Sequence, residues 1–283
     1  PLRFGMVVAQ RAEWPELARR ARLIEELGFD TLNVVDHFYG SYDIMDPCHE
    51  AYTALAGIAA VTSRVRLGVM VAGNTYRNPA FHLKQAVTVD HISGGRVEFG
   101  VGAGWLEREH TAYGFDYPSA RERVERFSEA IEIWELLQRN EWTTYRGAHY
   151  QLIDAPFEPK PVQRRLPLLI GTNGPRMMRL AAQRADIWNA IGTPEDVRPL
   201  NDRFTALCLG EGRDPATVLR SVCPRVDMLA SSEDFVAHAA AYIDAGFTDF
   251  QIPWPRTDQQ YEVMQQIARE CIPEIRSAYR SAR

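Results

Sequence analysis

With 283 residues, 46% of them hydrophobic, the chain can bury the core of one large α/β domain or two small ones. Its net charge of −5 leaves no basic footprint for nucleic acid or an anionic membrane surface, so neither is an expected partner. Cys48, Cys208, Cys223 and Cys271 are scattered without a Cys-x-x-Cys pair, which suits a reducing compartment with neither disulfides nor a zinc site.

Arg3 to Val8 reads as a short buried strand, and Glu13 to Leu27 as a helix with apolar residues at Leu17, Ala21, Ile24 and Leu27, stopped by Gly28. A second strand covers Thr31 to Asp36 and a second helix residues 49–62. The third strand is Arg66 to Val71, and the third helix runs from Pro79 to Ile92 with proline in its first turn. Gly94-Gly95 then closes that helix and leads into a fourth strand ending in Gly100-Val101-Gly102-Ala103-Gly104-Trp105. After an excursion from Leu106 to Tyr117 comes a long amphipathic helix, Ser119 to Gln138.

From Asn140 to Pro167 the rhythm breaks. Thr144 to Leu152 reads as a small hairpin, followed by a proline-rich return. The beat resumes with Leu168 to Gly171, a helix from Pro175, a strand near Asp186 to Asn189 and a helix from Pro194. A strand around Val222–Met228, a helix from Glu233 to Ala245, the strand Phe250 to Ile252 and a last helix complete the order. Eight alternating strand–helix pairs in this length predict a closed (β/α)8 TIM barrel of the α/β class, with the hairpin after the fourth helix. No linker divides it, so residues 1–283 are expected to form a single domain; an open doubly wound sheet shares the same periodicity.

No apolar run reaches the roughly 20 residues of a membrane span. No signal peptide is read ahead of Arg3, so a cytoplasmic location is expected.

Active sites of such barrels gather at the carboxyl ends of the strands. Here those ends carry Ala9-Gln10, Asp36-His37, Val71 to Gly73, Gly102 to Trp105, Gly171 to Gly174, Trp188-Asn189, Asp227 and Pro253-Trp254. They offer one ionisable pair, two glycine tracks, aromatics and amides. No metal is expected, because Asp43, Asp46, His49 and Glu50 lie on a loop without ligand spacing and no His-Glu-x-x-His occurs. There is no Gly-x-Ser-x-Gly elbow and no identifiable pair of glycosidase carboxylates.

The alternate glycines of Gly100 to Gly104 would leave one strand face bare, where a flat ligand could lie against backbone; a tightly packed strand–helix junction needs small residues just as much. Gly171-Thr172-Asn173-Gly174 before a proline-opened helix has the form of an anion site, or of an ordinary βα turn. A dinucleotide fingerprint is not supported, since no acidic residue closes a βαβ unit about 20 residues on.

Gly28-Phe29-Asp30 through Asp36-His37-Phe38, Tyr76-Arg77-Asn78-Pro79, Asp90-x-x-Ser93-Gly94-Gly95-Arg96, Gly100 to Trp105, and Gly171 to Gly174 together resemble the landmarks of the luciferase-like monooxygenase superfamily, in order. The likeness covers most of residues 1–190 and points to the branch of oxidoreductases that use the 8-hydroxy-5-deazaflavin coenzyme F-420; other branches bind FMN. It implies a luciferase-like (β/α)8 barrel, with a bulge and a non-proline cis peptide in the third strand at Met70–Val71, beneath the cofactor ring. By the same resemblance Gly73, Ala103 and Gly104 border the cofactor, Gly171, Thr172, Asn173 and Gly174 take its phosphate, Asp36 contacts it, and His37 faces the reactive carbon. Trp105 belongs to the substrate pocket. It stands where the sugar-phosphate dehydrogenases of the family carry glutamate, so a hexose phosphate loses support.

Hydride transfer needs donor and acceptor carbons about 3–3.5 Å apart in a dry pocket, and a group that exchanges the accompanying proton. An imidazole, with an unperturbed pKa near 6.5, suits that second role at His37, although a histidine capping a strand end would look the same. The expected activity is hydride exchange between coenzyme F-420 and a small organic substrate. The alternative is an FMN-dependent two-component monooxygenase on the same barrel; a flavin-storing protein without catalysis would lack a polar group such as His37. A homodimer is left open, and the substrate is not legible.

Overall fold

The computed structural model describes residues 2–40 and 45–281. Residues 41–44, among them Asp43 of the loop read from the sequence, lie outside the described residues.

Eight parallel strands form the barrel: β1 (Arg3–Val8), β2 (Thr31–Val34), β3 (Arg66–Val69, resuming at Ala72–Gly73), β4 (Val97–Gly102), β5 (Leu168–Gly171), β6 (Ile187–Gly192), β7 (Leu219–Pro224) and β8 (Asp249–Pro253). Each pairs with the next, β8 pairs with β1, and Leu67 of β3 lies opposite Val97 of β4, so the sheet closes. Closure removes unpaired edges. Strands covered on both faces read as nearly continuous buried runs, and every residue of β2 and β4 is buried.

The helices are α1 (Trp14–Glu26), α2 (Ala51–Val61), α3 (Pro79–Ser93), α4 (Glu107–Tyr113), α5 (Ala120–Arg139), α6 (Pro175–Arg184), α7 (Pro194–Gly210), α8 (Ser232–Asp244), α9 (Asp258–Gln266) and α10 (Ile272–Ser281). Local chemistry sets their ends. The Asn78 side chain caps α3 by accepting from the amides of Ala80 and Phe81, Pro79 fills the first turn, and Gly94 ends the helix at φ 69°. Thr193 and Asp196 form a reciprocal capping box on α7. Trp134 of α5 locks the outer layer: its indole donates to the Pro79 carbonyl at 2.9 Å and its ring meets Phe99 of β4 edge-on at 4.8 Å. No helix among the described residues is long and apolar enough to cross a membrane.

At the amino ends of the strands the barrel is ionic. Arg3 pairs with Glu98 at 2.8 Å and with Asp249 at 2.9 Å, and Arg66 also reaches Glu98 at 2.7 Å. Burial raises the Glu98 pKa, but the two guanidiniums outweigh it and hold the carboxyl below its ordinary range.

Two elements depart from expectation. The seventh strand is Leu219–Pro224 rather than 222–228. Pro224 is its last paired residue and has no amide to donate; the Arg225 amide makes one further bond, to the Gly192 carbonyl at 3.1 Å, and Val226 to Met228 lie in the following loop. Asp227 there accepts from the Leu229 amide and the Gln260 side chain, so it braces a loop instead of facing the strand-end cavity. The excursion after β4 contains α4, a seven-residue helix that carries much of the site chemistry. The hairpin falls in the expected interval, Trp142–Arg146 against Gln151–Pro156.

Candidate active site

A cavity of about 1150 Å³ opens at the carboxyl ends of the strands. Every residue expected to act in catalysis, cofactor binding or the substrate pocket lines it: Asp36 and His37 after β2, Met70, Val71 and Gly73 along β3, Ala103, Gly104 and Trp105 after β4, and Gly171 to Gly174 after β5. Of the other strand ends, Asn189 lines it, whereas Ala9, Gln10, Trp188, Asp227, Pro253 and Trp254 do not. Arg123, Arg176 and Arg225 line it as well.

The Met70–Val71 peptide is cis and separates the two runs of β3, where the family resemblance placed it. Asp36 fixes the far side of this bulge. One carboxylate oxygen accepts the Gly73 amide at 2.8 Å, and the pair together receives both ends of the Arg77 guanidinium at 2.7 Å. Arg77 also reaches Glu50 at 2.9 Å. Such a bidentate, buried pair is geometrically stiff. Asp36 thus borders the cavity with its oxygens engaged by protein.

The glycine track is explained mainly by packing. A Cβ on Gly100 would lie 2.0 Å from the Val69 carbonyl oxygen, and one on Gly104, at φ +84°, would lie 2.4 Å from Thr75 Oγ1. Gly102 and Gly171 are small because Val71 fills the space over them, at 2.9 Å from either added Cβ. The bulged Val71, and not a bare glycine face, is what β3 presents to the cavity.

His37 is half-buried beside Trp105, whose ring lies edge-on at 5.7 Å between centroids. Its Nδ1 is 3.0 Å from Oε2 of Glu109, a fully buried residue of α4. Glu109 Oε2 also accepts from the Tyr76 hydroxyl at 2.7 Å, and Oε1 accepts the Phe38 amide at 2.6 Å. Burial alone would raise the Glu109 pKa; the donors His37, Phe38 and Tyr76 prevail and hold it below the ordinary carboxylate range. Tyr76 shifts the opposite way, its phenol pushed up by burial and by the neighbouring carboxylate. Sequence reasoning passed over Glu109. Cys223, also on the cavity wall, has its thiol pushed up to about 12 by burial and is protonated at neutral pH.

In the loop after β5, the Thr172 amide bonds to the Asn189 carbonyl, the Asn173 side chain bridges to Ile191, and the Gly174 amide donates to Thr172 Oγ1 at 3.0 Å. The loop is therefore preformed. Gly174 itself does not lend its N–H outward, and Pro175 has none. The first-turn amides of α6 at Arg176 and Met177 have no intrahelical acceptor and remain as donors. At Gly174 an added Cβ would meet nothing closer than Thr172 Oγ1 at 3.7 Å, so the backbone is open to approach.

A closed parallel barrel with a cavity at the carboxyl ends of its strands has the architecture of α/β-barrel enzymes, and comparison with known proteins narrows it. The sequence profile described as luciferase-like monooxygenase matches residues 2–280, and the chain belongs to that family. An F420-dependent glucose-6-phosphate dehydrogenase of Microbacterium testaceum is 35% identical over 188 residues, 66% of this chain and 55% of that protein. The chain spans about half the length of the first curated relatives it matches. Among solved structures, an F420-dependent secondary alcohol dehydrogenase bound to an F420–acetone adduct superposes with a TM-score of 0.84 at 18% identity, covering 94% of this chain and 98% of that one. The oxygenating constituent of 3,6-diketocamphane monooxygenase from Pseudomonas putida, in complex with FMN, superposes at 0.76 with 13% identity, over 96% and 98% of the two chains. These likenesses at low identity establish the shared barrel.

Proposed function

We propose that the chain is an oxidoreductase that exchanges a hydride between coenzyme F-420 and a small organic substrate. The observation that carries this reading is His37: it lines the cavity with Nδ1 committed to Glu109, which leaves Nε2 for a molecule bound there. Relatives named as F420-dependent dehydrogenases support the cofactor.

The residues fit such a group. Val71, Gly73, Ala103 and Gly104 would border the ring, and Asn173, Arg176 and Met177 would offer amides to the phosphate, assisted by the positive charge of Arg176. When bound, the deazaflavin supplies a two-electron hydride carrier. The chain supplies everything else. His37 takes up a proton at Nε2 from a substrate hydroxyl, or returns it to a carbonyl oxygen. Tyr76 and Trp105 line the site with ring surface; Trp105, 68% exposed, offers a face that a bound substrate would cover.

FMN is the second reading, because an FMN-bound neighbour shares the barrel and the α6 amides would serve either phosphate. A panel of secondary alcohols, ketones, enones and imines, tested with oxidised and reduced coenzyme F-420, examines the proposal. Bleaching or recovery of deazaflavin absorbance with at least one class is expected. Oxygen-consuming turnover with reduced FMN, and none with F-420, would overturn it.

A further inference from the structure

We infer that Glu109 is the positioning residue of this site, holding His37 in the Nδ1–H tautomer so that Nε2 is the nitrogen that exchanges the proton. The inference rests on the proposed role of His37 and adds the group that prepares it.

Glu109 does not line the cavity and is fully buried, so it acts through its neighbours. An ionised carboxylate only accepts hydrogen bonds, and this one is held ionised by three donors. At 3.0 Å from Oε2, His37 Nδ1 must therefore carry the hydrogen. A neutral imidazole protonated at Nδ1 has its lone pair on Nε2. When Nε2 takes a proton, the resulting imidazolium faces a charge already in place, and Glu109 stays a carboxylate throughout.

Packing fixes the carboxylate where it is needed. His110, the next residue of α4, holds Thr75 Oγ1 at 2.6 Å and stacks on Tyr76 at 4.5 Å. Phe38 stacks on Tyr113 of the same helix at 4.8 Å. The loop after β2, the turn after β3 and α4 thus clamp one another, and the ring that precedes Arg77 also donates to Glu109. A buried acid serving only to cap the Phe38 amide would not need two further donors on its other oxygen.

The test is nitrogen-15 NMR of histidine-labelled full-length chain, with His37 assigned by its loss in His37→Ala, together with single-turnover rates. Wild-type His37 is expected as the Nδ1–H tautomer when neutral. In Glu109→Gln the amide donates to Nδ1, so the proton moves to Nε2; the rate should fall roughly 10²- to 10⁴-fold while coenzyme affinity stays within about twofold. A purely structural glutamate would move stability and leave the tautomer alone. An Nε2–H tautomer in the wild type, or parent-rate turnover by Glu109→Gln, overturns the inference. Should Glu109→Gln fail to fold, the wild-type spectrum decides by itself. Parent-rate turnover by His37→Ala would instead remove the proton-exchange reading of His37, a failure the tautomer measurement keeps separate.

Discussion

Asp36 and His37 are adjacent in the chain, and the polar atoms of the first are consumed by protein while the second keeps a ring nitrogen for a guest. Their expected variants differ accordingly. His37→Ala should leave coenzyme affinity nearly intact and lower turnover by roughly 10²- to 10⁴-fold, the range for losing a general acid–base. A stable, coenzyme-competent His37→Ala protein reacting at the parent rate would remove the assignment. Arg77→Met leaves the buried Asp36 carboxylate with the Gly73 amide alone, so urea unfolding should show a loss of about 3–5 kcal/mol. A loss under about 1 kcal/mol would mean that the bulge does not depend on that pair. At this scale the sequence disclosed the cavity residues, because strand ends can be located from periodicity. It did not disclose Glu109, 72 residues from His37, since residues 106–117 carry no strand or long-helix period to place them.

Between residues and fold, the glycines separate two kinds of constraint. Gly100 sits against the Val69 carbonyl, which cannot move without breaking β3, so Gly100→Ala should fail to fold or lose many degrees of melting temperature. Gly174 has open space, so Gly174→Val should fold normally and weaken coenzyme binding by about tenfold or more in a titration; unchanged affinity would take the phosphate away from this turn. Sequence alone left ligand platform and close packing equally open for Gly100 to Gly104, because both demand small residues. Only the bulge, which turns Val71 over Gly102 and Gly171, separates them. The misplaced seventh strand has a similar origin: Val222, Val226 and Met228 look apolar in a row, but the last paired residue, Pro224, falls between them.

For the molecule as a whole, eight alternating strand–helix units pointed to the closed barrel but shared their periodicity with an open doubly wound sheet; the pairing of β8 with β1 and of β3 with β4 is what closes it. Long-range tethers were not foreseen. Glu25 at the end of α1 accepts the amides of Ser63, Arg64 and Val65 ahead of β3. Burial opposes its ionisation, but those amides win and hold its pKa at about 2, against an ordinary 4.5. A depressed folded-state pKa stabilises the fold above the unfolded value and is lost as pH falls through the folded one. The stability gap between wild type and Glu25→Gln should therefore be full at pH 6, shrink below about 4.5 and vanish near 2. A gap that is constant across that window would show that Glu25 does not titrate as a tether.

The claim that organises the barrel, the bulge and His37 into one function is deazaflavin binding at the strand-end cavity. Parallel equilibrium titrations of the purified chain with coenzyme F-420 and with FMN, followed by fluorescence, address it most directly. Binding of F-420 at least tenfold tighter than FMN, weakened by Gly174→Val and spared by His37→Ala, is the predicted result; tighter binding of FMN, or no saturable binding of F-420, would contradict it.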